Sequence, residues 1–188
     1  MKSTVFVVVL TVLLGGAYPA LVTLAARIFW AEKANGSFII ANGKTVGSSL
    51  IGQNFSAPGY LHPRPSAAGK EGYDATVSSG TNLGPTSAVL AKSVSAAVAA
   101  ARADRPGDLS PVPADLVTSS GSGLDPHLSP EAARWQAPRI ARARGVDESQ
   151  VVAFIERHVE GRTLGFLGEP RVNVLLTNLD LDRDLPGR

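Results

Sequence analysis

The chain has 188 residues, 18 Lys and Arg against 16 Asp and Glu for a formal net charge of +2, and no cysteine. So small an excess of charge argues for neither nucleic acid nor an anionic surface as a partner. A chain without thiols has no disulfides, so packing and hydrogen bonds must hold its folded part together.

The first element is an uncharged apolar run, Val5 to Ala26, behind a head of only Met1 to Thr4. At about 1.5 Å of rise per residue it spans roughly 33 Å, enough for the ~30 Å hydrocarbon core of a bilayer. The rival reading is a cleaved signal peptide. Lys2 and the stretch Val5 to Leu14 suit one, and Ala25 and Ala26 keep cleavage open, but a signal's apolar region ends sooner than this run does. Phe29 and Trp30 suit an interfacial aromatic belt. Gly16 and Ala20 lie four apart on one helix face, where small side chains let a second helix approach, and Pro19 between them predicts a kink. Lys2 and the amino terminus face Arg27 and Lys33 across the span, nearly a tie by charge. A very short head before a large domain behaves like an uncleaved signal, which predicts residues 1–4 in the cytoplasm, 5–26 in the inner membrane and 27–188 as one soluble extracytoplasmic domain.

That domain is long enough to bury a core of its own. Ser37 to Ala41, Asn42-Gly43 and Lys44 to Ile51 read as a β-hairpin with a type I′ turn. Gly52 to Gly84 is rich in glycine and proline with no helical or strand period, and an irregular stretch so long is expected to serve as a contact surface. Pro85 suits a first helical position, and Val89, Leu90, Val94, Ala97, Val98 and Ala101 recur at helical spacing until Pro106-Gly107. Ser129 and Pro130 open a helix that runs to Arg144 with a kink at Pro138 and a stop at Gly145. Asp147 and Gln150 form a capping box for the next helix, whose stripe is Val151, Val152, Phe154, Ile155 and Val159. Arg171 to Leu179 alternates as a strand, expected to pair with the first hairpin. The fold class is therefore one transmembrane helix followed by one α+β domain.

The residues offer little catalytic chemistry. Gly43-Lys44-Thr45 lacks the earlier glycine of a phosphate-binding loop, where Phe38 stands. Ser122, Asp125 and His127 lie too close in sequence for a triad, and a turn closed by Asp125 and Ser129 explains them better. His62, His127 and His158 show no metal-binding spacing, so neither a metal ligand nor a catalytic residue is assigned. Arg134, Arg139, Arg142 and Arg144 form a basic patch, either a solvated helix face or a surface for phosphate or carboxylate.

Behind the span come Gly52-Gln53-Asn54-Phe55, His62-Pro63-Arg64-Pro65-Ser66, Asn82-Leu83, Ser122-Gly123-Leu124-Asp125, Gln136 with Pro138-Arg139, and Pro170-Arg171-Val172-Asn173. In that order and spacing they resemble the C subunit of the bacterial Kdp potassium-transporting ATPase. The resemblance covers nearly the whole chain. It implies a non-catalytic accessory subunit of a complex that imports potassium at the expense of ATP, with an ion-conducting subunit, an ATP-hydrolysing subunit and membrane lipid as partners. It implies no covalently bound cofactor, with ATP reached only through the complex. The chain has no Asp-Lys-Thr-Gly phosphorylation motif and no filter-like sequence, in keeping with that role.

Two roles are implied for such a subunit: stabilising the assembly, and acting as a catalytic chaperone that raises the ATP affinity of the hydrolysing subunit. If nucleotide is contacted directly, Gln136 and the turn Ser120, Gly121, Ser122 and Gly123 are the expected contacts. An exported domain cannot meet cytoplasmic ATP, so the preferred expectation is mechanical. The anchor packs through Gly16 and Ala20, and the irregular segment docks on the ion-conducting subunit near the potassium entrance. The alternatives are an exported, membrane-anchored enzyme using His62 or His127, or a binding protein released by cleavage after the span.

Overall fold

Lys2–Phe29 form a single helix, α1, with no buried side chain and an 18-residue stretch whose mean hydropathy is 2.4. It extends past both ends of the expected span and is long and apolar enough to cross a bilayer. The computed structural model describes residues 2–185. Met1 of the expected head lies outside them. In mid-helix, Leu13–Ala17 form a π turn in which the Tyr18 N–H reaches back five residues to the Leu13 carbonyl. Pro19 has no N–H for the carbonyl four residues before it and its ring crowds that oxygen, so the ladder widens one turn earlier. The expected kink takes this form.

The chain divides into two compact units, Met1–Ser48 and Ser49–Arg188. The first holds α1, a short helical turn α2 (Ala31–Ala34) and the expected hairpin, β1 (Phe38–Ala41) with β2 (Lys44–Ser48). Asn42 and Gly43 both have positive φ, 51° and 74°, as a type I′ turn requires. β2 ends three residues short of the expected Ile51.

The second unit contains α3 (Ala88–Ala103), β3 (His127–Leu128), α4 (Pro130–Trp135), α5 (Ala137–Arg144), α6 (Glu148–Arg157), β4 (Val159–Glu160), β5 (Arg171–Asn173) and α7 (Val174–Asp184). Its core joins Leu61, Leu128, Ala133, Ile140, Phe154, Ile155, Val172 and Leu181, drawn from all of these except α3 and β4. In the α6 stripe Val151, Phe154 and Ile155 are fully buried and Val152 is half-buried, but the helix ends at Arg157, so Val159, expected in the stripe, lies in β4 instead. The expected capping box is present, the Asp147 N–H donating to Gln150 Oε1 at 3.1 Å. Gly52 to Gly84 contains no helix or regular strand, as its composition indicates.

Four expectations need correction here. The helix after the irregular segment starts later than Pro85: Ser87 is its cap, its hydroxyl accepting from the Leu90 N–H. The helix expected from Ser129 to Arg144 is two helices meeting at Gln136, because Pro138 supplies no N–H and fits a first turn instead. The strand expected over Arg171 to Leu179 ends at Asn173, whose Oδ1 accepts from the Leu176 N–H and starts α7. Val172, Val174 and Leu176 alternate as a strand would, but the buried Val174, Leu175, Asn178 and Leu181 follow a helical period. β5 pairs with β3 on one side and β4 on the other, so both its edges are filled and it does not extend the β1–β2 sheet.

Candidate functional site

Two features present themselves: the bare surface of α1 and the fixed shape of the irregular segment. On α1, a Cβ added at Gly16 would meet nothing within 4 Å, and one at Gly15 only Thr11 Cγ2 at 4.0 Å. Gly16 lies inside the π turn and Ala20 just after it. These small residues sit in a rod whose surface elsewhere is rich in Val and Leu.

In the second unit the irregular segment obtains from side chains what a neighbouring strand would supply. Asn178, almost completely buried, accepts from the Leu61 N–H through Oδ1 at 2.8 Å and donates to the Leu61 carbonyl through Nδ2 at 3.0 Å. Gln136 treats His62 the same way, at 2.8 and 3.0 Å. Two carboxamides, one on α7 and one at the junction of α4 and α5, thus grip consecutive residues, satisfying backbone groups that would be costly to leave unpaired. Arg139 donates to the carbonyls of Pro58 at 2.6 Å and Tyr60 at 3.0 Å and to Gln136 Oε1 at 2.6 Å, so it braces the segment and the amide together. Asn173 donates to the Ser49 carbonyl at 2.8 Å.

Further along, the segment folds onto the turn at Ser120 to Gly123. Ser66 Oγ donates to the Gly123 carbonyl at 2.6 Å, and the Ser79 N–H donates to the Ser122 carbonyl at 2.9 Å. The Gly52 N–H donates to the Leu124 carbonyl at 2.8 Å, and a Cβ at Gly52 would fall 2.6 Å from both the Asp125 carbonyl and the Tyr73 ring. Arg64 lies between Asp125 and Asp115, 3.4 and 3.8 Å from their nearest oxygens. Burial pushes the Asp125 carboxyl up, but hydrogen bonds from His127 and the Arg64 charge outweigh it and hold the group below the usual carboxylate range. Nearly all the short motifs therefore converge, and what they build is a fixed loop.

A cleft of about 520 Å³ opens beside α3, with His62, Arg64, Tyr73, Ala101, Trp135 and Gln136 on its wall. The α3 residues Leu90, Val94, Ala97, Val98 and Ala101 are only half-buried, which leaves this helix the least anchored in the unit. Gln136 lines the cleft, but Ser120, Gly121, Ser122 and Gly123 do not. Those four belong to the turn packed under Ser66 and Ser79. The structure thus does not gather the residues expected to touch nucleotide into one pocket.

His62 stands half-buried on this wall, its Nε2 3.0 Å from the Ala57 carbonyl. Burial, and then the nearby Arg139 charge, lower its pKa below the ordinary value of about 6.5. The unfolded chain therefore takes up that proton more readily, so this stability is fully present above about pH 6.5 and is lost as pH falls toward the folded-state pKa. Thermal unfolding is expected at a lower temperature at about pH 5.5 than at about pH 7.5, and His62→Gln is expected to shrink the difference. An equal difference in the variant would show that His62 contributes none of it.

The basic patch divides: Arg134 and Arg142 lie on a solvated face, as one expectation had it, whereas the other two face inward. Arg139 and Arg144 are buried and hold carbonyls, and Arg134 pairs with Glu156 across to α6. Arg142 donates to the carbonyls of Pro138 and Asp104. Ser122, Asp125 and His127 form the local turn expected of them, with Ser122 Oγ accepting from the Leu124 N–H and Asp125 Oδ1 from the His127 N–H. The sequence reading missed Asn178 and Asn173 as braces. A carboxamide at helical spacing between Val174 and Leu181 was the available signal for the first.

A family model described as K+-transporting ATPase, c chain (KdpC) matches residues 1–183. The chain is 57% identical over 177 residues to the potassium-transporting ATPase KdpC subunit of Myxococcus xanthus, covering 94% of this chain and 83% of that one. It is 53% identical over 184 residues to the KdpC subunit of Koribacter versatilis, with 98% and 94% covered. To that of Nitratidesulfovibrio vulgaris it is 52% identical over 187 residues, with 100% and 95% covered.

Proposed function

Because the chain belongs to the KdpC family of K+-transporting ATPase c chains, we propose that this accessory subunit of a potassium uptake complex works by mechanical coupling. In this reading α1 spans the inner membrane with its amino terminus in the cytoplasm, and packs through Gly16 and Ala20 against a span of a companion subunit. The second unit lies outside and presents the Gly52 to Gly84 surface to the ion-conducting subunit. The observation that carries the reading is the bracing of that surface by Asn178, Gln136 and Arg139. A loop already held in its bound shape loses less freedom on docking.

The effect on the hydrolysing subunit follows from assembly in this reading. The Gln136 amide is engaged on both its oxygen and its nitrogen inside the fold, which supports a role through the loop it holds rather than through a shared ATP.

Leucine at both Gly16 and Ala20 adds bulk to this face and keeps the helix apolar. The doubly substituted chain is expected to retain roughly tenfold less of its companion subunits after mild detergent extraction, equivalent to about 1.4 kcal/mol. Unchanged retention would count against packing through this face.

A further inference from the structure

Between β4 and β5 the chain forms a small finger with an exposed apolar tip. Thr163 and Leu167 face each other as an antiparallel bridge, each N–H donating to the other's carbonyl at 2.9 Å. The Gly165 N–H donates to the Arg162 carbonyl at 3.0 Å and the Phe166 N–H to the Thr163 carbonyl at 3.3 Å. Leu164, Gly165 and Gly168 take positive φ, so the turn is tight. At its tip Leu164, Phe166 and Leu167 are 79%, 68% and 50% exposed. No charged residue occurs from Thr163 to Gly168. Those at its base are paired, Arg162 with Glu169 at 2.6 Å and Arg171 with Glu160 at 2.9 Å.

We infer that this tip inserts into the lipid–water interface of the bilayer that holds α1, as a second and shallower membrane contact. The inference rests on the reading of α1 as a span. Three observations select lipid over a protein pocket. First, the turn pairs the N–H groups of Thr163, Gly165, Phe166 and Leu167 within itself, which lowers the cost of moving its backbone out of water into the interface. Second, its tip side chains offer no hydrogen bond sideways, whereas protein interfaces carry such bonds throughout their area. Third, only residues 30–48 separate α1 from the unit bearing the finger, so the chain itself keeps the tip concentrated near a membrane surface. Leu and Phe side chains are the kind that bury at the interface, and the neutralised base removes the cost of bringing unpaired charge with them.

The chain's lack of cysteine allows single labels in the full-length protein. An environment-sensitive fluorophore is attached to Leu164→Cys, to Val9→Cys on α1 and to Lys92→Cys on α3, each in vesicles of phosphatidylethanolamine and phosphatidylglycerol carrying a lipid-borne quencher. The Leu164→Cys and Val9→Cys labels are expected to lose most of their emission and the Lys92→Cys label none. Adding Phe166→Ser and Leu167→Ser is expected to abolish quenching at Leu164→Cys alone. Quenching of Val9→Cys but not of Leu164→Cys would overturn the inference while leaving the span intact. Quenching of neither would overturn the span and the inference together. Shielding of the Leu164→Cys label only when companion subunits are present would assign the tip to a protein pocket and overturn the lipid contact.

Discussion

Arg144→Ala is expected to destabilise the protein by about 3–5 kcal/mol, a large part of the roughly 5–15 kcal/mol that holds a domain of this size. Its guanidinium is buried and donates to the Gly59 carbonyl at 2.7 Å, to Leu181 at 3.1 Å, to Leu185 at 2.8 Å and to Asp182 Oδ1 at 2.8 Å. It also stacks over the Tyr60 ring, 5.1 Å from its centroid. One side chain thus closes the carboxyl end of α7 and fixes the irregular segment at Gly59. Truncation leaves a void and several carbonyls without this donor at once. Arg144→Lys is expected to recover less than half of the loss, since a point charge cannot reproduce the planar fork. Arg134→Ala provides the contrast: its pair with Glu156 is exposed, and the expected cost is about 0.2–1 kcal/mol. Denaturant titration followed by fluorescence of the buried Trp135 reads all three. Equal midpoints for the Arg144 and Arg134 variants would refute the bracing role.

The second large effect is expected at Gly123. Its φ is +67°, and an added Cβ would lie 2.5 Å from the Ser79 carbonyl and 2.8 Å from the Ala68 nitrogen. Gly123→Ala combines the left-handed penalty of about 1–2 kcal/mol with an overpacking cost of about 1–3 kcal/mol, roughly 2–5 kcal/mol together. Two other glycines separate these contributions. Gly107 has φ +84° in open space, so Gly107→Ala carries the backbone penalty alone, about 1–2 kcal/mol. Gly121 is open and has no positive φ, so Gly121→Ala is expected to stay within about 0.5 kcal/mol of the parent. If Gly123→Ala proved as mild as Gly107→Ala, the close approach of the loop to this turn would be wrong.

These two residues also show where the sequence is legible. Elements governed by local rules are readable from it: the I′ turn at Asn42-Gly43, the capping box at Asp147 and Gln150, the stop at Gly145 and the apolar rod of α1. Each depends on residues a few positions apart. α7 is not readable in this way, because Val172, Val174 and Leu176 alternate while Val174, Asn178 and Leu181 also recur at helical spacing. The choice is made by Asn173 capping one element and ending another. The roles of Arg139 and Arg144 are hidden for a different reason. Long range in sequence separates each from its acceptors, Arg144 and Gly59 being 85 positions apart, and no pattern marks a buried arginine from a solvated one. Resemblance located the motifs, and only the fold reveals that Gln136, Arg139 and Ser66 spend their polar groups on one loop.

The central claim is that α1 stays in the membrane and keeps the chain in the company of other integral subunits. The most direct test is to extract the tagged full-length chain from native membranes in mild detergent, then determine its mass and identify what elutes with it. The account predicts an intact leading helix, Val5 to Ala26 included, together with the ion-conducting and ATP-hydrolysing subunits. A chain shortened beyond Ala26, soluble without detergent and eluting alone, would contradict it.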